Sequence, residues 1–436
     1  MRGLVKIFTY GCQMNDLDSR KMYSALLKMG FEPTPETHLA DVIILNTCSV
    51  RQKAYEKAMS NLGRLKAHKE QRPSLIIAVT GCVAQQERDA IRERMPHVDI
   101  IMGTHQLHRL PEFVQRRLQG SPPVIETDFA PSIPSMDIIP DLRFMDTRHR
   151  AYINIMQGCN NFCSYCIVPF ARGPEVSRAG ASVLEEVREH ASRGVREVFL
   201  LGQNVNSYSG GMAFPDLLRG IHAVQGIERI RFTTSHPKDV SEGLIACFSE
   251  MDTLCGHIHL PFQSGSDRVL RAMNRHYTRQ SYLSLIDRLK AARPDISFSA
   301  DVIVGFPGET WDDYLETLDV IRTVRFDVLY SFKYSERPGT AASHLPDDVP
   351  PEEKLERLKG LQALQRTITL ENNRERIGKE YGVLVDGVSG RHAHQIHGRT
   401  TQNTIVNFPG PASLIGEMVL VRITRANPNS LTGEMV

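Results

Sequence analysis

Apolar, β-rich runs recur along the first 120 residues, and each ends in a cysteine. Val5 to Tyr10 leads to Gly11-Cys12, Val42 to Leu45 to Asn46-Thr47-Cys48, and Leu75 to Val79 to Thr80-Gly81-Cys82. Helix-like stretches, Ser19 to Met29 and Arg51 to Lys69, separate them. Strands alternating with helices predict an open parallel α/β sheet over residues 1–120, and such a sheet gathers the carboxyl ends of its strands along one edge. Cys12, Cys48 and Cys82, spaced 36 and 34 residues apart, therefore converge. One cysteine at a strand end reads as a small buried hydrophobe, whereas three at equivalent ends favour a shared metal centre.

Between Gly120 and Arg150 the chain is proline-rich and aperiodic, which predicts a linker over 121–149. From 150 to 350 the alternation resumes with six strands: Tyr152 to Met156, Glu197 to Leu201, Ile230 to Thr234, His257 to Pro261, Ser297 to Val304 and Val328 to Tyr334. Six βα units predict a partial (βα)6 TIM-type barrel with its site at the carboxyl ends of the strands and an open side for a large substrate. Polar clusters follow those ends: Gly202-Gln203-Asn204, Ser235-His236-Pro237, Gln263-Ser264-Gly265-Ser266 and Gly305-Phe306-Pro307-Gly308-Glu309. Residues 351–376 predict a charged connecting helix, and 377–436 switch to short β-type runs, as in a small antiparallel β-barrel. The fold class is thus α/β with a C-terminal β-barrel.

Of eight cysteines, three more form a C-x3-C-x2-C array, Cys159, Cys163 and Cys166, directly after the first barrel strand. Three thiolates are one too few for a closed zinc site or for all four irons of a cubane, so each triad implies an open coordination position. A zinc knuckle completed from elsewhere is the alternative for the second array. Cys247 and Cys255 have no ligand spacing and read as core positions; His236 and His259 read as structural.

Composition adds little to this picture. Net charge is +2 and hydrophobic content 41%, so nucleic-acid binding has to come from local patches. No run is long enough to span a bilayer and no signal pattern opens the chain, which predicts a cytoplasmic protein with no membrane partner. In that reducing compartment cysteines serve as ligands more readily than as disulfides.

Cys163-Ser164-Tyr165-Cys166 resembles the C-x-aromatic-C ending of the radical S-adenosylmethionine superfamily. That resemblance implies a [4Fe-4S] cluster on Cys159, Cys163 and Cys166 whose free iron chelates S-adenosylmethionine, with Tyr165 against the adenine. Gln203, Asn204, Ser235 and Gln263 would orient the ribose and methionine ends.

The whole chain is similar to the MiaB-type tRNA methylthiotransferases: an N-terminal three-cysteine domain, a radical S-adenosylmethionine domain and a TRAM domain. The resemblance rests on Gly11-Cys12-Gln13-Met14-Asn15, Asn46-Thr47-Cys48-Ser49-Val50-Arg51, Gly81-Cys82-Val83-Ala84-Gln85-Gln86, Arg172-Gly173-Pro174-Glu175-Val176-Ser177-Arg178, Leu201-Gly202-Gln203-Asn204-Val205-Asn206 and Thr234-Ser235-His236-Pro237. Ribosomal-protein methylthiotransferases share the architecture but carry a lysine-asparagine ending after the first cysteine and lack Ser-Val-Arg after the second. Pro174, where many relatives have a charged residue, is a small departure.

What the resemblance implies is methylthiolation at C2 of N6-isopentenyladenosine in tRNA. One S-adenosylmethionine methylates a sulfur carried on an auxiliary [4Fe-4S] cluster at Cys12, Cys48 and Cys82, and a second yields the 5'-deoxyadenosyl radical. It also implies an electron donor such as flavodoxin or ferredoxin; the sulfur donor is not determined. RNA contacts are expected on the TRAM barrel, at Arg391 and Arg399, on the loop Arg172 to Arg178, at both arginines, and on the basic helix with Lys53, Lys57, Arg64, Lys66 and Lys69. Two rivals stand beside this reading: the same chemistry on N6-threonylcarbamoyladenosine or a ribosomal-protein aspartate, and a non-catalytic iron-sulfur RNA-binding protein.

Overall fold

A computed structural model describes residues 3–49, 52–145, 147–390 and 395–436. At the N-terminus, six parallel strands form one sheet in the order Phe31–Pro33, Gly3–Thr9, Val42–Thr47, Ile76–Gly81, Ile100–Met102, Val124–Glu126. Successive side chains of its central strands alternate between two cores, because a strand has a period of two. Val42, Ile44, Ile76 and Ala78 pack with Met22, Leu26, Leu110 and Phe113 on one face. Ile43, Leu45, Ile77 and Val79 pack with Leu62, Leu65, Val83 and Ile91 on the other. Burial on both faces explains why these strands read as unbroken apolar runs.

The stretch expected to be a linker differs from that expectation. Val124–Glu126 supplies the sixth strand of the sheet, and the chain beyond it runs along the helix Gln13–Leu27. There the Lys21 ammonium donates to the carbonyls of Ser135 at 2.8 Å and Met136 at 3.0 Å, and Phe144 stacks on Tyr23. A three-residue strand between prolines is too short to display a period, so only its pairing reveals it.

Six further parallel strands follow in two groups of three: Arg150–Asn154, Glu197–Leu201 and Arg229–Phe232, then His257–His259, Ser297–Val304 and Val328–Lys333. The Ile230–Leu254 bridge links the groups, giving the expected partial barrel. Outward residues such as Ile153, Val198, Leu200, Ile258 and Phe298 pack under the helices. The inner face is polar instead, with Asn154, Glu197, Arg229, Arg231, His259 and Ser299 all buried. A complete TIM barrel fills its interior with apolar layers; here other parts of the chain close the ends.

The C-terminal residues form a closed five-stranded barrel around Val383, Val385, Ile396, Phe408, Val421 and Leu431. It is antiparallel except for one pair, Ile405–Pro409 with Ser430–Met435, which runs parallel, a departure from the all-antiparallel expectation that closure of five strands imposes. An odd number of strands cannot alternate direction all the way round. This barrel plugs the N-terminal mouth of the larger one. Arg229 donates to the Arg399 carbonyl at 2.6 Å and the Gly382 carbonyl at 2.7 Å, Arg231 to the Thr400 carbonyl at 2.6 Å, and Arg150 to Asp386 at 2.5 Å. Glu197, with 0% exposure, ties Arg150 and Arg231 together beneath it.

The helix Pro351–Arg374 packs across the last barrel strand, and its Arg357 is buried against Glu309. Glu309 also accepts from the Gly305 N–H at 2.5 Å, so the Gly305 to Glu309 cluster is spent on holding this helix.

Removing Glu197 would leave the buried Arg231 without its carboxylate and Arg150 with Asp386 alone. Glu197→Ala should lower unfolding stability by about 3–5 kcal/mol in urea denaturation.

Candidate active site

The radical-type cysteine loop is held in place by backbone and amide groups. After Met156–Gln157, Gly158 adopts φ +84, where a Cβ would lie 2.0 Å from the Pro174 carbonyl oxygen, so only glycine fits. The Gly158 N–H donates to Gln203 Oε1 at 2.6 Å, and the Cys159 N–H to the Gly173 carbonyl at 3.2 Å. Asn161 donates to Cys159 Sγ at 3.5 Å. Arg275, buried just after the helix Asp267–Ala272, donates to Cys163 Sγ at 3.4 Å and to the Pro261 carbonyl at 2.8 Å. Burial, reinforced by the neighbouring Cys163, pushes the Cys166 thiol up to about 12, and burial raises Cys159 as well. These sulfurs are stable as thiolates only when a cation or cluster takes them up.

Beyond the loop, the strand ends carry buried polar atoms that no described residue satisfies: Asn154 Oδ1, Asn204 Oδ1, Ser235 Oγ and His236 Nε2. Each belongs to one of the first three barrel strands or the turn after it. Leaving such groups buried costs about 1–3 kcal/mol apiece, so this is where a polar cofactor fits. Gln203 serves the cysteine loop, and Asn204 Nδ2 is held by Asp239 at 2.8 Å with its carbonyl oxygen left over. Gln263 lies with φ +65 at the end of the fourth strand, paired through its backbone to Asp301 and Ile303. Tyr165 turns toward the apolar group Val269, Met273, Phe306, Tyr334 and Ala342. Left-handed backbone at Phe162, Thr234, Gln263, Asn274 and His276 concentrates here, where strain is tolerated because surrounding contacts over-determine it.

The N-terminal cysteines sit at three adjacent strand ends. Cys12 precedes the helix Gln13–Leu27, Cys82 opens the helix Cys82–Arg94, and Cys48 follows Val42–Thr47 between them. Two helix N-termini thus direct partial positive charge at the group. Close approach is enforced by glycines: a Cβ at Gly11 would lie 2.6 Å from Cys48 Cβ, and one at Gly81, φ +88, 2.3 Å from the Thr47 carbonyl oxygen. A buried amide pair locks the arrangement, Asn15 Nδ2 donating to Asn46 Oδ1 at 2.8 Å and Asn46 Nδ2 to the Asn15 carbonyl at 2.8 Å. Among the described residues no three His, Cys, Asp or Glu side chains close on one point as ligands of a single ion would.

One segment joins the two triads. Ala171 and Arg172 end the short helix after Cys166, and their carbonyls are gripped from the N-terminal domain, by Thr104 Oγ1 at 3.0 Å and His105 Nε2 at 2.8 Å. His105 Nδ1 accepts from the Ala130 N–H at 3.1 Å, so its proton sits on Nε2 and it donates to Arg172. Gly173 then returns to Cys159. The Arg172 side chain lies beside Cys82 and Cys12 and pairs with Asp18 at 3.0 Å.

That placement corrects part of the expected RNA surface. Arg172 is buried between the triads, and Arg178 is buried against Glu186 and, at 2.6 Å, Asp137. Arg399 lies where the two barrels meet, 3.7 Å from Asp386, and burial lowers its pKa. Each arginine finds an anion within the chain, a partner that sequence spacing does not reveal. Lys69 is likewise engaged, with Asp99 at 2.8 Å. Arg391 lies outside the described residues. Lys53, Lys57, Arg64 and Lys66 remain exposed, and Lys57 and Arg64 line an open cavity of about 490 Å³ with Phe8 and Tyr10.

Sequence reasoning missed the roles of Arg275, Gln157 and Asp18, and the pairing of Asn15 with Asn46. Arg275 stands in Asn274-Arg275-His276-Tyr277, a polar stretch indistinguishable from a surface loop. Asn15 and Asn46 stand in the motifs quoted above, each within three residues of a cysteine, but nothing local shows that they bond to each other.

Three family models match: the uncharacterized protein family UPF0004 over residues 4–103, the radical SAM superfamily over 153–321 and the TRAM domain over 374–436. A protein of Syntrophus aciditrophicus (strain SB), named tRNA-2-methylthio-N(6)-dimethylallyladenosine synthase, is 50% identical over 436 residues, covering 99% of this chain and 94% of that protein. One of Geobacter metallireducens with the same name is 50% identical, covering 99% and 98%. The chain belongs to this family. Another member, from Bordetella petrii, is 48% identical over 98% of this chain and 90% of that protein. Among solved structures, the radical S-adenosylmethionine methyltransferase TsrM from Kitasatospora setae superposes with a TM-score of 0.58 at 15% identity, over 89% of this chain and 79% of that one. The cobalamin-dependent radical enzyme OxsB gives 0.54 at 14%, over 84% and 58%. At those identities both speak for the fold alone.

Burial, with Arg275, Lys238 and His276 adding to it, pushes the His236 pKa down to about 2. The unfolded chain takes up a proton near 6.5 that the folded chain refuses. The stability due to neutral His236 is therefore complete above about pH 6.5 and is lost as pH falls toward 2, at up to about 1.4 kcal/mol per pH unit. Urea denaturation between pH 7 and 4.5 should show His236→Asn losing stability less steeply than the parent by about one proton.

Proposed function

We propose that this chain is a tRNA methylthiotransferase that adds a methylthio group to C2 of N6-dimethylallyladenosine, also called N6-isopentenyladenosine. The observation that carries the reading is the near-complete alignment, at about half identity, with proteins named for that product. It also favours this nucleoside over threonylcarbamoyladenosine or a ribosomal-protein aspartate. We assign one [4Fe-4S] cluster to Cys159, Cys163 and Cys166 and an auxiliary one to Cys12, Cys48 and Cys82. With S-adenosylmethionine, the first supplies the radical that removes hydrogen from C2; the second supplies the sulfur.

The chain's own residues do the positioning. Arg275 and Asn161 hold the sulfurs of Cys163 and Cys159, and Gln203 fixes the turn that presents them. The open oxygen and nitrogen atoms of Asn204, Ser235 and His236 receive the polar groups of S-adenosylmethionine; His236, neutral at pH 7, offers no charge that would repel its sulfonium. Exposed rings stand on the cysteine loop and its helix, Phe162 and Phe170, and on the last barrel strand, Tyr330 and Phe332. Such rings suit an unstacked adenine with an apolar prenyl tail. Phosphates would meet Lys53, Lys57, Arg64 and Lys66 on the N-terminal helix and Arg422 and Arg425 on the small barrel. Among the described residues no helix is long and apolar enough to cross a membrane, and we place the enzyme in the cytoplasm with its tRNA.

Mass spectrometry of tRNA nucleosides from cells lacking the gene should show the methylthio nucleoside gone and its prenylated precursor accumulated. Unchanged nucleosides would refute the assignment. With purified protein, Cys48→Ala should still cleave S-adenosylmethionine to 5'-deoxyadenosine while losing methylthio product by at least about a hundredfold, the scale of losing an essential ligand. Cys163→Ala should lose both, and equal retention of cleavage in the two variants would contradict separate roles.

A further inference from the structure

The strand Phe31–Pro33 pairs only with Gly3, Leu4 and Val5, so from Lys6 onward the strand Gly3–Thr9 is an open edge on that side. Phe8 and Tyr10, two residues apart, share one face of the chain. They rest on the core beneath the helix Gln52–Gln71 and stay half-buried. Between that helix and the edge lies the open cavity of about 490 Å³, and no cysteine lines it. Sites for small ligands span about 300–1,000 Å³.

The cavity walls divide by chemistry. Phe8 and Tyr10 give it aromatic surface, and the Lys6 ammonium lies 4.7 Å from the centre of the Phe8 ring. Asn61 donates from Nδ2 to the Tyr10 hydroxyl at 2.8 Å, so that hydroxyl has its own proton to give; burial raises its pKa and keeps the proton in place. Ser60 and Glu56 add a hydroxyl and a carboxylate on the helix side. Lys57 and Arg64, seven residues apart and so two turns along one helix face, line the cavity and form no ion pair among the described residues. A plain anion would leave the rings idle, and an apolar ligand would leave the cations unmatched. Base plane, base edge and phosphate of a nucleotide use all three kinds of wall. Tyr10 lies two residues before Cys12, at most about 7 Å along the chain. A strand whose modified adenine lies at the triads can therefore reach this edge with a neighbouring nucleotide.

We propose that this cavity binds one unpaired nucleotide of the substrate RNA other than the adenosine being modified, its base against Phe8 and Tyr10 and its phosphate at Lys57 and Arg64. The inference rests on the tRNA reading above and gives the N-terminal domain a part in holding the strand in register. A free mononucleotide has the same chemistry, and the test separates the two sources.

The test uses the full-length reconstituted protein and a fluorescent anticodon stem-loop carrying N6-dimethylallyladenosine. Ser60→Trp fills the cavity from an exposed helix position. It should weaken stem-loop binding by about five- to 150-fold, the scale of one base stack, with iron content and melting temperature unchanged. Lys57→Gln with Arg64→Gln should flatten the dependence of log Kd on log salt by about 1.4, two phosphate contacts on a single strand. Stem-loops are then made with one base removed at each unpaired position except the modified one. The parent should lose affinity at one such position, and Ser60→Trp should show no further loss there. Stem-loop binding by Ser60→Trp equal to the parent's overturns the proposal. If that variant at the same time loses binding of adenosine or guanosine 5'-monophosphate, the cavity serves free mononucleotides instead. A loss in Ser60→Trp that couples to no abasic position also overturns it, since no base would then sit in the cavity. A parent that binds no stem-loop sinks the tRNA reading itself, and this inference falls with it.

Discussion

A single backbone bond, from the Cys159 N–H to the Gly173 carbonyl, folds the cysteine loop back on itself and sets the relation between the two triads. Because the loop is closed there, Ala171 and Arg172 are presented to the N-terminal domain, where Thr104 and His105 hold their carbonyls. The ends of that short path are the first cysteine of one triad and the surroundings of Cys82 in the other. Every contact along it is a hydrogen bond to the main chain, so the path fixes distance and direction while leaving its side chains free to serve the site. Glycine at 158 and 173 is demanded by the same crowding, since a Cβ at either would strike the opposing segment or His105.

Closure of the partial barrel follows a different logic. Its strands start with charged residues, Arg150, Glu197 and Arg229, in place of the apolar layers that fill complete barrels. Glu197 accepts from Arg150 and Arg231, and the arginines in turn reach carbonyl oxygens and Asp386 of the C-terminal barrel, which seals the mouth opposite the cysteines. At the other wall, Met14 and Leu17 from the first helix cover Leu201, Tyr152 and Phe199. The radical-type domain is thus finished by its neighbours on two sides, and its last strand exposes Tyr330 and Phe332.

Arginine is the residue that connects these parts. Arg172, Arg178, Arg231, Arg275 and Arg357 are all buried, and each reaches a carboxylate, a carbonyl or a sulfur. A planar guanidinium with five donors can bridge several acceptors at once, which a lysine cannot. In Arg172 and Arg275 the same property places a positive charge beside cysteine sulfur in each triad.

The order of strands and helices, the three-part division, and both sets of cysteines are legible in the sequence, because buried parallel strands leave continuous apolar runs and ligand spacing is local. Orphan atoms at Asn204, Ser235 and His236 fall in clusters that the strand-end rule singles out. The strand Val124–Glu126 is too short to announce itself, and the parallel pair in the small barrel follows from closure with five strands. Only the tertiary structure decides what the arginines do. Arg172, Arg178 and Arg399 look like nucleic-acid contacts in a linear chain, since a charge carries no record of its partner; Asp18 lies 154 residues from Arg172. The sequence by itself marks two cysteine triads as candidate ligand sets, because that depends on donor type and local spacing. The fold alone decided which charges stay exposed and which are buried beside the two cysteine triads, because that depends on what the chain brings back from far away.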